Sequence, residues 1–248
     1  LTVPAAAGTN SIDLSKLPVK GTNNDIVLDK ASNPALSGTT NRNTILNLRN
    51  TDTGYVAGNA TAIDFGTSLF SATSSIIGRN HQSGAGYGGD LLFATSPASS
   101  NSLTERMRIN SNGQVTTPNQ PSFMVYGTWS YDSNYIWKGF GTVDHNIGSH
   151  WNNSTGRFTA PIAGRYMIYA AAHHSTVNTY HLWAFLKNGT AGGGNWVQSY
   201  DTSGGSDTTS KTQVWNLAAG DYLEVASNAT YANGYTGGYI TVGGHLVG

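Results

Sequence analysis

Hydrophobic side chains along this chain fall in short runs, and the character of those runs changes partway. In the first 120 residues they are Asp25-Ile26-Val27-Leu28, Ile45-Leu46-Asn47-Leu48, Ala62-Ile63-Asp64-Phe65, Ser75-Ile76-Ile77, Leu91-Leu92-Phe93 and Met107-Arg108-Ile109. Polar turn-forming residues separate them, and they recur as short segments bounded by turn signals, so they predict strands. In Arg106-Met107-Arg108-Ile109 the period of two puts Met107 and Ile109 on one face and both arginines on the other. Asn112-Gly113 then predicts a tight turn, because both residues tolerate positive φ.

Beyond residue 120 the runs lengthen. Strands are predicted over 123–129, 135–143, 156–160, 165–173, 180–187, 195–200, 211–217, 222–227 and 239–247. Such a density of strands predicts a sandwich or jelly roll. The segment His181-Leu182-Trp183-Ala184-Phe185-Leu186 is apolar on both faces. Leu182, Ala184 and Leu186 share one face; Trp183 and Phe185 share the other. One face meets the domain's own core and the other calls for a second layer, for which a neighbouring subunit is the natural source. Trp183, Phe185, His181 and His245 are the expected contacts of a trimer interface.

Composition divides the chain at the same place. All six Trp and 21 of the 26 aromatic residues lie beyond residue 120, whereas 55 of the first 120 residues are Gly, Ser, Thr or Asn. The expected organisation is all-β. Residues 1–118 form a Gly/Ser/Thr/Asn-rich shaft, 119–122 a linker, and 123–248 a jelly-roll head. The shaft runs are too sparse in large apolar residues to offset a backbone ordering cost of about 1–2 kcal/mol per residue. Winding three copies about one axis would share their apolar faces, so the shaft is expected to be trimeric.

Charge narrows the function. Thirteen acidic and 13 basic residues balance, and charged residues make up only 10% of the chain. Nucleic acid and polybasic membrane contacts are therefore not expected, because both depend on concentrated Lys and Arg. No apolar run approaches the ~20 residues of a membrane span. Cysteine is absent, which removes disulfides and thiol chemistry and suits a chain that folds in a bacterial cytoplasm.

Two stretches carry resemblances. Asn146-x-Gly148, Trp151, Thr155-Gly156-x-Phe158, Pro161 and Gly164-x-Tyr166 follow the order of the globular head of complement component one q. Phe140 and Val143 match the strand before them, Leu186-Lys187-Asn188-Gly189 a hairpin, and Leu217 with Gly220-Asp221 a later turn. At the closing Gly244-His245-Leu246-Val247, Val242 stands where the family has an aromatic. This resemblance implies a trimeric jelly roll of tumour-necrosis-factor type. In the second stretch, Asn43 to Val115, Ile45-Leu46-Asn47-Leu48-Arg49, Ile77-Gly78-Arg79, Gly88-Gly89-Asp90-Leu91-Leu92-Phe93-Ala94-Thr95-Ser96 and Glu105-Arg106-Met107-Arg108-Ile109 with Asn112-Gly113-Gln114-Val115 resemble segments of phage tail-fibre and tailspike shafts. Together they imply a bacteriophage tail fibre in the virion: a homotrimer joined to other tail proteins on its N-terminal side. Its head would attach to a host surface glycan such as lipopolysaccharide. Two alternatives are a structural virion fibre without host contact and a secreted or cell-surface trimeric adhesin or lectin.

Candidate chemistry is thin, and no enzyme, cofactor or metal is expected. Gly84-Ala85-Gly86-Tyr87-Gly88-Gly89 fits a dinucleotide-loop spacing but leads into a strand, not a helix. Only two Glu exist, Glu105 and Glu224, too few to suggest a paired-carboxylate glycosidase. His173 and His174 are neighbours in a strand and point to opposite faces. The aromatics in polar loops remain. Trp129, Tyr131, Tyr135, Trp196, Tyr200, Tyr231 and Tyr235 are the expected ligand-binding residues, because such rings offer an apolar face with a polar handle.

Overall fold

The computed structural model describes residues 59–66, 72–80, 88–100, 102–174, 179–191, 196–201, 207–228 and 240–248. Among them there are strands, turns and bends but no helix. The runs expected at Asp25–Leu28 and Ile45–Leu48 lie outside the described residues, as do Tyr231 and Tyr235.

The four remaining N-terminal runs pair with one another within a single chain. They give β1 (Ala60–Phe65), β2 (Ser74–Asn80), β3 (Gly89–Thr95) and β4 (Thr104–Ile109), followed by β5 (Val115–Thr116), in a five-stranded antiparallel sheet with order β1-β2-β3-β4-β5. The turn into β5 forms as the sequence predicts. Gly113 has φ 80°, and the side chain of Asn110 accepts from the backbone N–H groups of Asn112 and Gln114, both at 3.0 Å. A bulge opposite Phe93/Ala94 interrupts the plain alternation expected around Met107. Arg106 there donates to Thr95 Oγ1, while Arg108 joins Arg79 around the buried Asp90, at 3.6 and 2.8 Å.

Among the described residues the C-terminal sandwich has twelve strands. They are β6 (Ser122–Gly127), β7 (Ser130–Tyr131), β8 (Trp137–Lys138), β9 (Thr142–Ile147), β10 (Trp151–Asn152), β11 (Arg157–Thr159), β12 (Gly164–His174), β13 (Thr179–Lys187), β14 (Trp196–Asp201), β15 (Asp207–Leu217), β16 (Tyr222–Ser227) and β17 (Ile240–Leu246). One sheet runs β15-β12-β17-β6-β9, the other β10-β11-β16-β13-β14, and β7-β8 forms a small hairpin. All the pairings are antiparallel, and the chain crosses repeatedly between the two sheets, as in a jelly roll.

The core between the sheets is aromatic. Phe123 stacks on Trp151 at 4.8 Å and on Phe158 at 5.0 Å; Trp137 packs on Trp183 at 5.5 Å, and Trp183 meets Phe185 edge-on. Two large rings inside have their polar tips bonded: Trp137 Nε1 donates to Ser227 Oγ at 2.6 Å, and Tyr166 Oη donates to the Ile162 carbonyl at 2.9 Å. Satisfying these donors lets large rings be buried without the penalty of a lost hydrogen bond.

The strand expected over 135–143 is broken. Gly139, at φ 64°, turns the chain away from a sheet, and Asn153 secures the turn by bonding both the N–H and the carbonyl of Phe140. That break lets β8 and β9 serve different sheets. The joint at 119–121 is also tied down: Gln120 Nε2 donates to the Leu246 carbonyl at 3.0 Å, and Leu246 N–H donates to the Pro121 carbonyl.

Candidate functional site

Register decides which side chains face outward, since directly paired residues share a face. On the β15-β12-β17-β6-β9 sheet, Tyr166, Ile168, Phe123, Val125 and Val242 point inward and are buried. Their neighbours therefore point outward. Val214, Met167 and His245 form one row across β15, β12 and β17. Tyr169, Gly243 and Met124 form the next row, and Ala171, Thr241 and Tyr126 the one after. None of these nine is Asp, Glu, Lys or Arg. Val214 is 55% exposed and Tyr126 38%, so a largely apolar sheet face meets solvent in the single chain, with Arg165 beside Met167 and Asp144 near Tyr169. Gly243 shapes it: a Cβ there would collide with the phenol of Tyr169, so the glycine lets that ring lie across β17.

This placement corrects the expected interface. Trp183, Phe185 and His181 are fully buried inside their own sandwich, with Trp183 Nε1 donating to Thr209 Oγ1 at 2.8 Å. The outward face of β13 is instead the one carrying Leu182 and Leu186. His181 stacks on the equally buried His174 at 3.6 Å, and His174 Nε2 lies 2.7 Å from Ser199 Oγ. Only His245 of the four lies on an outward face, half-buried.

The expected ligand-binding aromatics fall into two groups. Trp129, Tyr131 and Tyr135 are brought together on the β7–β8 hairpin, with ring centroids 5.6 Å apart for the first pair and 5.5 Å for the second. Trp129 also packs on the core through Trp137. Tyr135 holds φ 62°, an uncommon conformation for a bulky residue. Its N–H donates to the Asp132 carbonyl and its own carbonyl accepts from Ser227 N–H, which locks the hairpin onto β16. Trp196 and Tyr200 sit elsewhere, both exposed, on edge strand β14, where Tyr200 meets Tyr180.

Sequence reasoning missed a groove between that hairpin and the outer face of the second sheet. Its volume is about 500 Å³, and Asp132, Asn134, Lys138, Arg157, Tyr222 and Glu224 are among its lining residues. On its wall the Arg157 guanidinium lies 3.7 Å above the Tyr222 ring and contacts Glu224 Oε1 through Nε and Nη2. Glu224 is only 6% exposed. The pairing Arg157↔Glu224 between β11 and β16 creates this contact, and no local motif signals it.

At one end of the groove the Lys187–Gly189 turn is fixed by Asp221. Its carboxylate accepts from the Asn188 side chain, contacts Lys187 Nζ at 2.7 Å and accepts from Ala218 N–H. Those contacts, the Asn188 bond foremost, hold its pKa at about 2, below the ordinary 3.8. A depressed carboxylate stabilises the fold above its unfolded pKa and loses that contribution as pH falls through the folded value. Thermal melts should therefore decline from pH 4 to pH 2 in the wild type. Asp221→Asn should flatten that part of the profile; an unchanged acid limb would show that Asp221 is not the linked group.

The C1q domain family matches residues 124–247. Complement C1q tumor necrosis factor-related protein 3 of mouse is 32% identical over 97 residues, and the human protein 31% over 97 residues. In each case the match covers 38% of this chain and 38% of the relative, so the chain spans little more than a third of those proteins' length. The globular domain of zebrafish complement 1qA protein overlays with TM-score 0.39 at 17% identity, covering 52% of this chain and 98% of that structure. The family match and the mouse and human relatives overturn the tail-fibre reading. The matched proteins are animal C1q-related proteins, so the virion location, the tail-protein partners and the attachment to a bacterial host fall with it.

Proposed function

From the premise that this chain belongs to the C1q-domain family through residues 124–247, we propose that it is an extracellular, non-catalytic recognition protein working as a homotrimer. It is a secreted or cell-surface adhesin or lectin. The observation that carries this reading is the outward face of the β15-β12-β17-β6-β9 sheet, where exposed Val214 and Tyr126 flank Met167, Tyr169 and Met124 in a largely apolar patch. A single chain gains nothing by leaving Val214 and Tyr126 in water; packing three copies removes them from it. Secretion draws its support from the C1q-related proteins of mouse and human.

The non-catalytic reading rests on the glutamates. Glu224 is held by Arg157, and Glu105 by Arg108 at 2.9 Å, so each carboxylate already serves an ion pair. Trimerisation raises the effective concentration of each weak contact to about millimolar for a repetitive surface, which suits adhesion. Light scattering of the purified chain should give three times 26.1 kDa. A stable monomer at micromolar concentration would overturn the reading.

A further inference from the structure

We propose that the groove between the β7–β8 hairpin and the outer sheet is a binding site for a neutral, hydroxyl-rich saccharide. The inference deepens the adhesin reading but rests on residues of one chain. The volume of about 500 Å³ lies in the usual range for small-ligand sites, roughly 300–1,000 Å³.

Its chemistry selects the ligand class. Both Arg157 contacts go to Glu224 Oε1, leaving Oε2 of a 94% buried carboxylate with no hydrogen bond among the described residues. Asp132 is similar: Oδ1 accepts the N–H groups of Asn134 and Ile136, at 2.8 and 3.2 Å, and Oδ2 accepts none among the described residues. Two carboxylate oxygens therefore stand ready to accept hydrogen bonds from a ligand. Sugar hydroxyls donate such bonds, whereas an anionic group placed against these oxygens would be repelled. Lys138 and Asn134 supply donors for the ligand's own oxygens. The two acids, Asp132 and Glu224, balance the two bases, Lys138 and Arg157, so the lining favours no net charge on the ligand.

Internal contacts also brace the walls. Arg157 is fixed between the Tyr222 ring and Glu224, and the strained Tyr135 pins the opposite wall to β16. Preorganised walls spare a ligand the cost of ordering side chains on binding.

The test is a panel of galactose, mannose and N-acetylglucosamine oligosaccharides, together with their sialylated and sulfated forms. Binding to the full chain is measured by calorimetry in EDTA, and the oligomeric mass is recorded on the same samples. At least one neutral oligosaccharide should bind, and its acidic forms no more tightly. The double variant Lys138→Ala with Asn134→Ala should weaken that binding by about tenfold or more, while Gln198→Ala on β14 leaves it unchanged. No binding to any neutral member, preference for the acidic forms, or indifference to the double variant would overturn the proposal. A trimer that binds no saccharide refutes only the groove; a monomer that binds one refutes only the trimeric reading.

Discussion

Replacing Gly156 by Ala should lower the melting temperature of the sandwich by on the order of 10 °C or more, or prevent the protein from accumulating at all. Two separate costs add at this position. Gly156 has φ 69°, in the left-handed region, where a Cβ costs about 1–2 kcal/mol. In addition, a Cβ there would sit on the carbonyl oxygen of Trp137, well inside contact distance, with Trp137 itself fully buried. A backbone carbonyl cannot rotate aside like a flexible side chain. Either β8 must shift, pulling Trp137 off Ser227 and Trp183, or the turn before β11 must open. Gly220 supplies the control: its φ is 87°, but nothing lies within 4 Å of the position of its Cβ. Gly220→Ala should therefore incur only the conformational cost and lower the melting temperature by a few degrees. Equal effects of the two substitutions would mean that the approach of Trp137 to Gly156 contributes nothing.

The two halves of that argument differ in how legible they are. The turn at Thr155-Gly156 reads directly from sequence, because Asn152, Ser154 and Thr155 are turn formers and glycine permits the reversal. The structure adds that Asn152 Oδ1 caps it by accepting from the N–H groups of Ser154 and Thr155, at 3.0 and 3.3 Å. The carbonyl of Trp137 comes from a strand 19 residues earlier, and that approach has no sequence signature. The same limit explains the split of the 135–143 run. Gly139 and Gly141 hint at a break, but only Asn153, bonded to both sides of Phe140, fixes where the chain turns.

The interface reading failed for a related reason. With Leu182, Ala184 and Leu186 on one face and Trp183 and Phe185 on the other, hydrophobicity cannot say which face is inside. Pairing with β16 decides it: Phe185 lies opposite Val225, which is itself buried, so the aromatic face closes the core. The groove was invisible for the opposite reason. Its residues come from β7–β8, β11, β13 and β16 and are ordinary polar side chains until register sets Arg157 beside Glu224. The head resemblance pointed to the correct fold because residues such as Gly156, Phe158 and Tyr166 are scaffold. The shaft resemblance rested on short segments such as Ile77-Gly78-Arg79 and Glu105-Arg106-Met107-Arg108-Ile109, a style of sequence more than a motif, and it pointed to the wrong biological setting.

Charges placed on the outward face of the β15-β12-β17-β6-β9 sheet should dissociate the trimer while leaving each chain folded. Met167 and Val214 are direct partners across β12 and β15, with both side chains turned away from the core. The double variant Met167→Glu with Val214→Asp would place two carboxylates per subunit in that interface, and Arg165 on the same face can serve at most one of them. An uncompensated buried charge costs about 3–5 kcal/mol, so even one such penalty weakens association by more than about a hundredfold. The expected result is a mass near 26.1 kDa in place of three times that value. Strand content by far-ultraviolet circular dichroism should be unchanged, because Tyr166, Ile168 and Trp215 still close the interior behind the substituted positions. Gln198→Glu, exposed on β14 of the other sheet, adds a charge without touching this face and should leave the mass unaltered. If the double variant kept three times the chain mass, the subunits would have to meet through some other surface. The exposure of Val214 and Tyr126 would then have no role in assembly.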